Sequence, residues 1–164
     1  MKSLCVIIPC LNVQDSISFC IEKVKKVLDK ANIEKTEIIV IDNNSTDKTA
    51  EIARKLNTKV IIENKQGYGN AVKTGMRNTT CEYVAVDDGD DSYDFTEISK
   101  FIEKAREGYE FIQGCRFEKH GGKIMDGAMP FSHRYIGNPF LSFMTKLFFG
   151  IKSNDAYCGF RMYK

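Results

Sequence analysis

Val84-Ala85-Val86-Asp87-Asp88-Gly89-Asp90-Asp91-Ser92-Tyr93-Asp94 joins a short apolar run to a burst of carboxylates. The apolar residues mark the end of a strand buried on both faces. The five carboxylates repel one another unless something neutralises them. Oxygen-rich sets of this kind suit Mg²⁺ or Mn²⁺. In open α/β sheets, ligands lie beyond the carboxyl ends of the strands, and this cluster stands in that position. The stretch therefore reads as a site for a divalent cation and a nucleotide diphosphate, centred on Asp88-Gly89-Asp90. Two carboxylates flanking a glycine can hold the ion and leave coordination positions for phosphate oxygens. The competing readings are an acidic surface turn and a calcium loop. The calcium loop fails because Tyr93 occupies the position that requires glycine.

Outward from this stretch, strand and helix alternate. Residues 4–9, 37–41, 59–62, 82–86 and 110–114 read as strands, most of them continuous apolar runs. Between them, Ile17, Cys20, Ile21, Val24, Val27 and Leu28 recur at helical spacing, with Asp15 or Ser16 as the expected cap. Residues 49–56, 71–77 and 95–107 read as further helices. This rhythm predicts a mostly parallel sheet covered on both faces by helices in right-handed crossovers. After Arg116 the pattern changes. Residues 117–130 are polar, carry Gly121, Gly122 and Gly127, and read as a mobile loop. Residues 140–149 form an aromatic-rich helix with a single lysine, either core or a segment lying on a membrane.

The length of 164 residues suits one domain. A net charge of +2 gives no global sign of nucleic-acid binding, so no nucleic-acid partner is expected. The charge is uneven: from Cys115 onward, eight Lys/Arg face three Asp/Glu. Such a basic segment fits an anionic acceptor or a membrane surface, and equally a solvated face. The six cysteines show no C-x-x-C and no zinc spacing, and read as buried free thiols in a reducing cytosol. There is no signal-peptide pattern and no apolar run long enough to span a bilayer.

Other residues join the acidic turn. Asp42 stands just past a buried strand, as Asp88 does, and can accept from a base N–H or a ribose hydroxyl. Capping of the next helix is the alternative, for which Thr46 or Asp47 is better placed. Gly67-Tyr68-Gly69-Asn70 lets backbone approach a ligand closely. It does not satisfy G-x-G-x-x-G, so a dinucleotide cofactor is not expected. Arg116, His133, Arg134 and Arg161 are candidate anion clamps, because an arginine fork matches phosphate. Each is also an ordinary surface residue taken alone.

These residues together resemble a family. Val-Ile-Ile-Pro-Cys-Leu-Asn (6–12), Val-Ile-Asp-Asn-Asn-Ser-Thr-Asp-Lys-Thr (40–49), residues 64–75, Asp88-Gly89-Asp90 and Gly-Cys-Arg (114–116) resemble the inverting family-two glycosyltransferases. Gly-Ala-Met-Pro (127–130), His-Arg-Tyr-Ile-Gly-Asn-Pro (133–139) and Asp-Ala-Tyr-Cys-Gly-Phe-Arg (155–161) are similar to the branch that makes polyprenyl-phosphate sugars, the dolichyl-phosphate mannose and glucose synthases. The resemblance implies an A-type, Rossmann-like fold. It implies one catalytic domain over 1–164, with a nucleotide-sugar half at 1–116 and an acceptor-side segment at 117–164. By the same resemblance, Pro9, Cys10, Leu11, Asn12, Asp42, Asn44, Gly67, Gly69, Asn70, Asp88 and Gly89 hold the nucleotide-sugar. Asp88 and Asp90 hold Mg²⁺ or Mn²⁺, with Asp90 the direct ligand. Arg116, His133, Arg134 and Arg161 meet a polyprenyl-phosphate acceptor, and Asp90, Arg116, Arg134 and Asp155 act in catalysis.

Three departures stand out. Asn43 replaces a second acid after the second strand. Asn12-Val13-Gln14 replaces Asn-Glu-Glu. Relatives continue beyond the Gly-Phe-Arg motif, so the expectation is a domain C-terminally truncated relative to them, working at the cytoplasmic face of a membrane beside a membrane-embedded partner. The implied reaction is inverting transfer of a hexose from a UDP-glucose- or GDP-mannose-type donor to the lipid phosphate. An acceptor phosphate is already anionic, so arginines orient it and a strong base is unnecessary. Asp155 serves as a base for a hydroxyl acceptor, or as a structural hydrogen-bonding group. Two alternatives stay open: a sugar nucleotidyltransferase, against which stands the lack of an Arg-bearing Gly-rich loop after the first strand, and a non-catalytic nucleotide-sugar-binding domain.

Overall fold

The computed structural model describes residues 1–90, 93–117, 122, 130–151 and 153–164, with only the backbone at position 133. The expected loop at 117–130, with Gly121 and Gly127, lies almost entirely outside them, as do Asp91 and the His133 side chain. The chain divides into two compact units, Met1–Ile112 with Phe160–Lys164, and Gln113–Gly159.

The first unit is built on β1 (Ser3–Cys10), in which every residue from Leu4 to Cys10 is buried. A strand covered on both faces must be apolar throughout, which is why this run shows no alternation. Around it stand α1 (Ile17–Lys30), β2 (Lys35–Asp42), α2 (Thr49–Lys55), β3 (Lys59–Ile62), α3 (Tyr68–Arg77) and β4 (Tyr83–Val86). A 3₁₀ turn at Phe95–Glu97 leads into α4 (Ile98–Arg106), and β5 (Phe111–Gln113) follows. The last strand is β6 (Arg161–Tyr163). The sheet order is β3-β2-β1-β4-β6-β5. β1 pairs in parallel with β2 and β4, and β2 with β3. β6 runs antiparallel to β4, so the sheet is mixed but mostly parallel, as expected.

Both faces of the sheet are covered. Ile7, Ile39, Ile41, Val84 and Val86 pack with Ala71 of α3. The approach is close: a β-carbon on Gly75 would lie 2.5 Å from Ile7 Cγ2. Ile17, Cys20, Ile21, Val24 and Leu28 are the buried stripe of α1. Phe101 stacks on Phe160 with ring centroids 4.3 Å apart, which makes the phenylalanine of the Gly-Phe-Arg motif a core residue.

Two expectations are corrected here. Ser16 occupies the start of α1 but does not cap it with its side chain; its hydroxyl donates to the carbonyl of Gly89 at 2.8 Å. Nor are all six cysteines free: Cys5 and Cys81 form a disulfide that ties the start of β1 to the turn before β4. Cys10, Cys20 and Cys158 are buried and stand outside the disulfide, as does the half-buried Cys115.

In the second unit, a π-helical turn at His133–Gly137 runs into α5 (Asn138–Phe149), which ends at Gly150 in the left-handed region, φ 69°. Among the described residues, no helix is long and apolar enough to cross a membrane.

Candidate functional site

From β1 the chain moves to β2 and β3 on one side, then crosses back to β4 on the other. The carboxyl ends of β1 and β4 therefore flank a topological switch point, where open α/β sheets bind ligands. The segment after β4 is laid along the end of β1: the Asp87 amide donates to the carbonyl of Ile7 at 3.2 Å, and that of Gly89 to Pro9 at 3.4 Å. Gly89 is required there by packing. A β-carbon would stand 2.7 Å from Cys10 Sγ and 3.2 Å from Ile8 Cγ2.

Pinned in this way, the turn presents Asp88 half-buried and Asp90 exposed. Burial pushes the Asp88 carboxyl upward, and the negative charge of Asp90 adds to the effect. The neighbouring Tyr68 phenol acts in the opposite direction. Oδ1 of Asp88 is buried and accepts no hydrogen bond among the described residues. Asp42, 3% exposed, completes the acidic group from the end of β2, where it pairs in register with Cys10. The Cys10 thiol registers this convergence. Burial, then Asp42, with Asp88 and Asp90 adding to them, holds it well above the ordinary thiol range. The sequence reading placed Asp42 and Asp88 each just past a buried strand; in the structure Asp42 ends β2 beside Cys10, and the turn carrying Asp88 lies along the end of β1.

The loops after β1 and β2 are bonded to each other. Asn12 takes the left-handed region (φ 54°) and its Oδ1 accepts from the Thr46 amide at 2.8 Å. Its own amide donates to Ser45 Oγ at 3.0 Å. The Val13 amide donates to Thr49 Oγ1 at 2.9 Å and the Gln14 amide to Asp47 Oδ2 at 3.1 Å. Gln14 Oε1 accepts from the Lys48 amide at 3.2 Å. Lys48 occupies the N-cap of α2 with no side-chain cap bond; Asp47 Oδ1 accepts from the Thr49 amide at 2.9 Å, and Asp42 Oδ1 from the Ser45 amide at 3.3 Å. Pro9 and Cys10 are buried strand residues, whereas Leu11, Asn12 and Asn44 are exposed, Asn44 also left-handed at φ 66°.

α3 starts at Tyr68, three positions before the expected start at 71, so Gly67-Tyr68-Gly69 is a helix entry. Gly67 needs no side chain because its φ is +126°. Gly69 faces open space: a β-carbon there would meet no atom within 4 Å. Asn70 Nδ2 donates to the carbonyl of Gln66 at 3.0 Å. Burial and the Asp88 carboxylate push the Tyr68 phenol upward, and Arg161 opposes them. Arg161 is opposite Val86 in the β4–β6 pairing, so this candidate acceptor contact belongs to the first unit.

In the second unit, Asp155 is 1% exposed and collects four hydrogen bonds. Arg116 gives its amide at 3.1 Å, Nε at 2.7 Å and a guanidinium nitrogen at 2.8 Å, and Asn138 Nδ2 donates at 2.8 Å. Burial alone raises the Asp155 carboxyl, but these bonds outweigh it and hold it below the ordinary carboxylate range. Arg116 and Asp155, singled out separately in the sequence, are thus one ion pair. Arg134 lies over the Tyr135 ring, 5.5 Å from its centroid.

Tyr68, Asn43 and Asn138 were not singled out as site residues. Asn43 carried a signal, an amide where the family resemblance implies an acid. Tyr68 and Asn138 sat inside quoted motifs, but their surroundings depend on residues distant in sequence.

A mostly parallel six-stranded sheet whose switch point carries an Asp-Gly-Asp turn defines the class of A-type glycosyltransferases. The chain belongs to glycosyl transferase family 2, whose pattern it matches over residues 5–164. It is 36% identical, over 98% of its length, to a low-salt glycan biosynthesis hexosyltransferase of Haloferax volcanii, and spans 38% of that protein. It is 29% identical, again over 98% of its length, to a dolichyl-phosphate hexose transferase of the same organism, and spans 66% of it. Among solved structures, glucosyl-3-phosphoglycerate synthase from Mycobacterium tuberculosis, crystallised with Mn²⁺, UDP and glucosyl-3-phosphoglycerate, shares the fold. The TM-score is 0.74 at 16% identity, covering 99% of this chain and 57% of that one.

Proposed function

We propose that this chain is the catalytic domain of a metal-dependent, inverting hexosyltransferase. It moves a hexose from a nucleotide-diphosphate sugar of UDP-glucose or GDP-mannose type to a polyprenyl-phosphate acceptor. The observation that carries this reading is the Asp88-Gly89-Asp90 turn laid along the end of β1, with Asp42 in register beside it on β2 and a buried Asp88 oxygen that accepts no hydrogen bond among the described residues. That donor set fits Mg²⁺ or Mn²⁺, which such sites hold with one or two carboxylates plus substrate phosphates. The Mn²⁺ and UDP of the structural neighbour, and the lipid-phosphate name of one relative, support the same assignment.

Asp88 and Asp90 would hold the ion, which when bound neutralises the leaving diphosphate as a Lewis acid. Asp42 accepts from the nucleoside, and the backbone of residues 9–12 and 67–70 borders it. Arg116, His133 and Arg134 are assigned to the acceptor phosphate. Asp155, with its oxygens engaged, holds the Arg116 guanidinium in place and is not the base. An acceptor already ionised at neutral pH attacks the face of the anomeric carbon opposite the leaving group, so the configuration inverts. The exposed Phe140, Phe143, Leu147 and Phe148 of α5 fit a membrane surface that carries such a lipid.

The test is product analysis with donor, Mn²⁺ and polyprenyl phosphate. Free nucleoside diphosphate with a β-linked lipid-phosphate sugar from an α-linked donor is expected. Release of pyrophosphate instead identifies a nucleotidyltransferase, and donor binding without turnover identifies a binding domain.

A further inference from the structure

Cys5 and Glu37 are register partners in the parallel β1–β2 ladder, so their side chains leave the same face of the sheet side by side. Oε2 of Glu37 stands 3.6 Å from Cys5 Sγ. Cys81, in the turn before β4, brings its own sulfur to Cys5. The two sulfurs and a Glu37 oxygen all lie within 4.8 Å of one another. Two sulfurs and a carboxylate converging on one point are donors that suit Zn²⁺. The set shows no C-x-x-C spacing because the sheet assembles it from β1, β2 and the turn leading into β4.

The separations fit a tetrahedral ion. A sulfur ligand at about 2.3 Å and a carboxylate oxygen at about 2.1 Å stand about 3.6 Å apart across a tetrahedral angle. Cys5 and Glu37 already show that separation. The α-carbons of Cys5 and Cys81 are 5.7 Å apart, close enough for both side chains to reach one ion. The other oxygen of Glu37 is held from outside: Lys59 Nζ lies 3.5 Å from Oε1 and donates to the Asn78 carbonyl at 3.0 Å. A group bonded to a ligand fixes its orientation, and this one leaves Oε2 turned to the sulfur. A sulfur in a disulfide has no proton to donate, so Glu37 Oε2 gains no hydrogen bond from Cys5 there. Two thiolates and the carboxylate would balance a divalent ion together with the Lys59 ammonium. Cys5 is buried, whereas Cys81 and Glu37 are partly exposed, which gives an ion a route to the sulfurs from the surface.

We propose that Cys5, Cys81 and Glu37 form a redox-gated site for a thiophilic divalent cation of the Zn²⁺ class, with water in the fourth position. It stands near the start of β1, while the acidic turn lies along the other end of that strand. Reduction by a dithiol opens it. The S–S bond breaks, each sulfur takes one electron and one proton, and the dithiol closes to its own disulfide. Binding of the ion then releases both protons as the thiolates form. A reducing compartment keeps such a pair in the thiol form that binds.

The experiment titrates Co²⁺, without nucleotide, into the full chain in two states: oxidised, and reduced with dithiothreitol that is then removed without air. A sulfur-to-cobalt charge-transfer band is expected in the reduced chain, saturating at one ion per chain, absent from the oxidised chain and abolished by Zn²⁺. Zn²⁺ should also raise the urea midpoint of the reduced chain, because an ion bound by the folded state alone adds to its stability. Cys81→Ser should remove the band. Glu37→Gln keeps both sulfurs and the side-chain shape, and should weaken Zn²⁺ at least about tenfold, no less than loss of an outer-shell group does. Asp90→Ala should keep the band. No band in the reduced parent, a band that survives Cys81→Ser or vanishes in Asp90→Ala, or parent-like Zn²⁺ affinity in Glu37→Gln, overturns the proposal.

Discussion

The hydroxyl of Ser16 donates to the carbonyl of Gly89 at 2.8 Å, across 73 residues of sequence. The bond joins the start of α1 to the acidic turn, and it holds Gly89 between Asp88 and Asp90. Together with the Cys10 sulfur against its α-carbon, it explains why the turn between the two carboxylates must be glycine. Gly89→Ala places a methyl 2.7 Å from Cys10 Sγ and must displace the turn. A loss of about 1–3 kcal/mol in unfolding free energy is expected from such overpacking, with loss of Mn²⁺-dependent nucleotide binding. Adding Cys10→Ala should restore part of both. Calorimetry and a binding titration on the single and double variants check this.

Asp88→Asn separates stability from function. The folded state raises the Asp88 carboxyl above its ordinary value, through burial and then Asp90. The charged form is therefore disfavoured by folding. In metal-free parent protein, this penalty is present above the raised pKa and relieved as pH falls through it. The neutral amide removes the penalty, so the metal-free variant should melt higher than the parent at pH 7, and the difference should shrink in acid. The same variant should gain nothing from Mn²⁺ with nucleotide. Scans at several pH values, with and without the ion, read both effects.

The Arg116–Asp155 pair carries a stability with the opposite pH sign. Asp155 lies below the ordinary carboxylate range, because the Arg116 and Asn138 bonds outweigh burial. Its contribution is fully present above the unfolded carboxylate value of about 4 and is lost as pH falls through the lower folded one. Arg116→Ala leaves a buried carboxylate without its counter-charge, a loss on the order of 3–5 kcal/mol. Limited proteolysis within residues 113–159 should become faster in this variant at neutral pH, while Arg116→Ala with Asp155→Asn recovers much of the resistance.

Reduction provides a fourth test. Cys5 and Cys81 are separated by 76 residues, and closing a loop of that length restricts the unfolded chain by about 4 kcal/mol in the entropic account. Dithiothreitol or Cys81→Ser should lower the unfolding free energy in urea by several kcal/mol, and the two treatments together should lower it no further.

How much of this was legible in the sequence follows from how far each feature reaches. β1 and β4 could be read because burial on both faces forces an unbroken apolar run. α1 could be read because its buried stripe recurs at Ile17, Cys20, Ile21, Val24 and Leu28. Asp42 and Asp88 were legible because each closely follows such a run. β6 was not, since Arg161–Tyr163 overlaps the Gly-Phe-Arg motif and begins with a charged residue instead of an apolar run. The entry to α3 was placed late because Gly67 and Gly69 look like loop, although only Gly67 has a backbone that demands glycine. The roles of Ser16 and Asn43 lie in bonds to Gly89 and to the chain after β3. The Cys5–Cys81 pairing likewise joins two positions that only the sheet brings together. No local pattern announces a partner that far along the chain.

The most direct measurement is a thermal-shift panel of UDP-, GDP- and TDP-sugars, each with and without Mn²⁺, on the parent and on Asp90→Ala. Ligand at about a hundred times its dissociation constant adds about 2.7 kcal/mol, which corresponds to several degrees for a chain of this size. The expected result is a Mn²⁺-dependent shift with one nucleotide in the parent and its absence in Asp90→Ala. No shift with any donor, or an equal shift in Asp90→Ala, would contradict the assignment of the acidic turn to the donor and its metal.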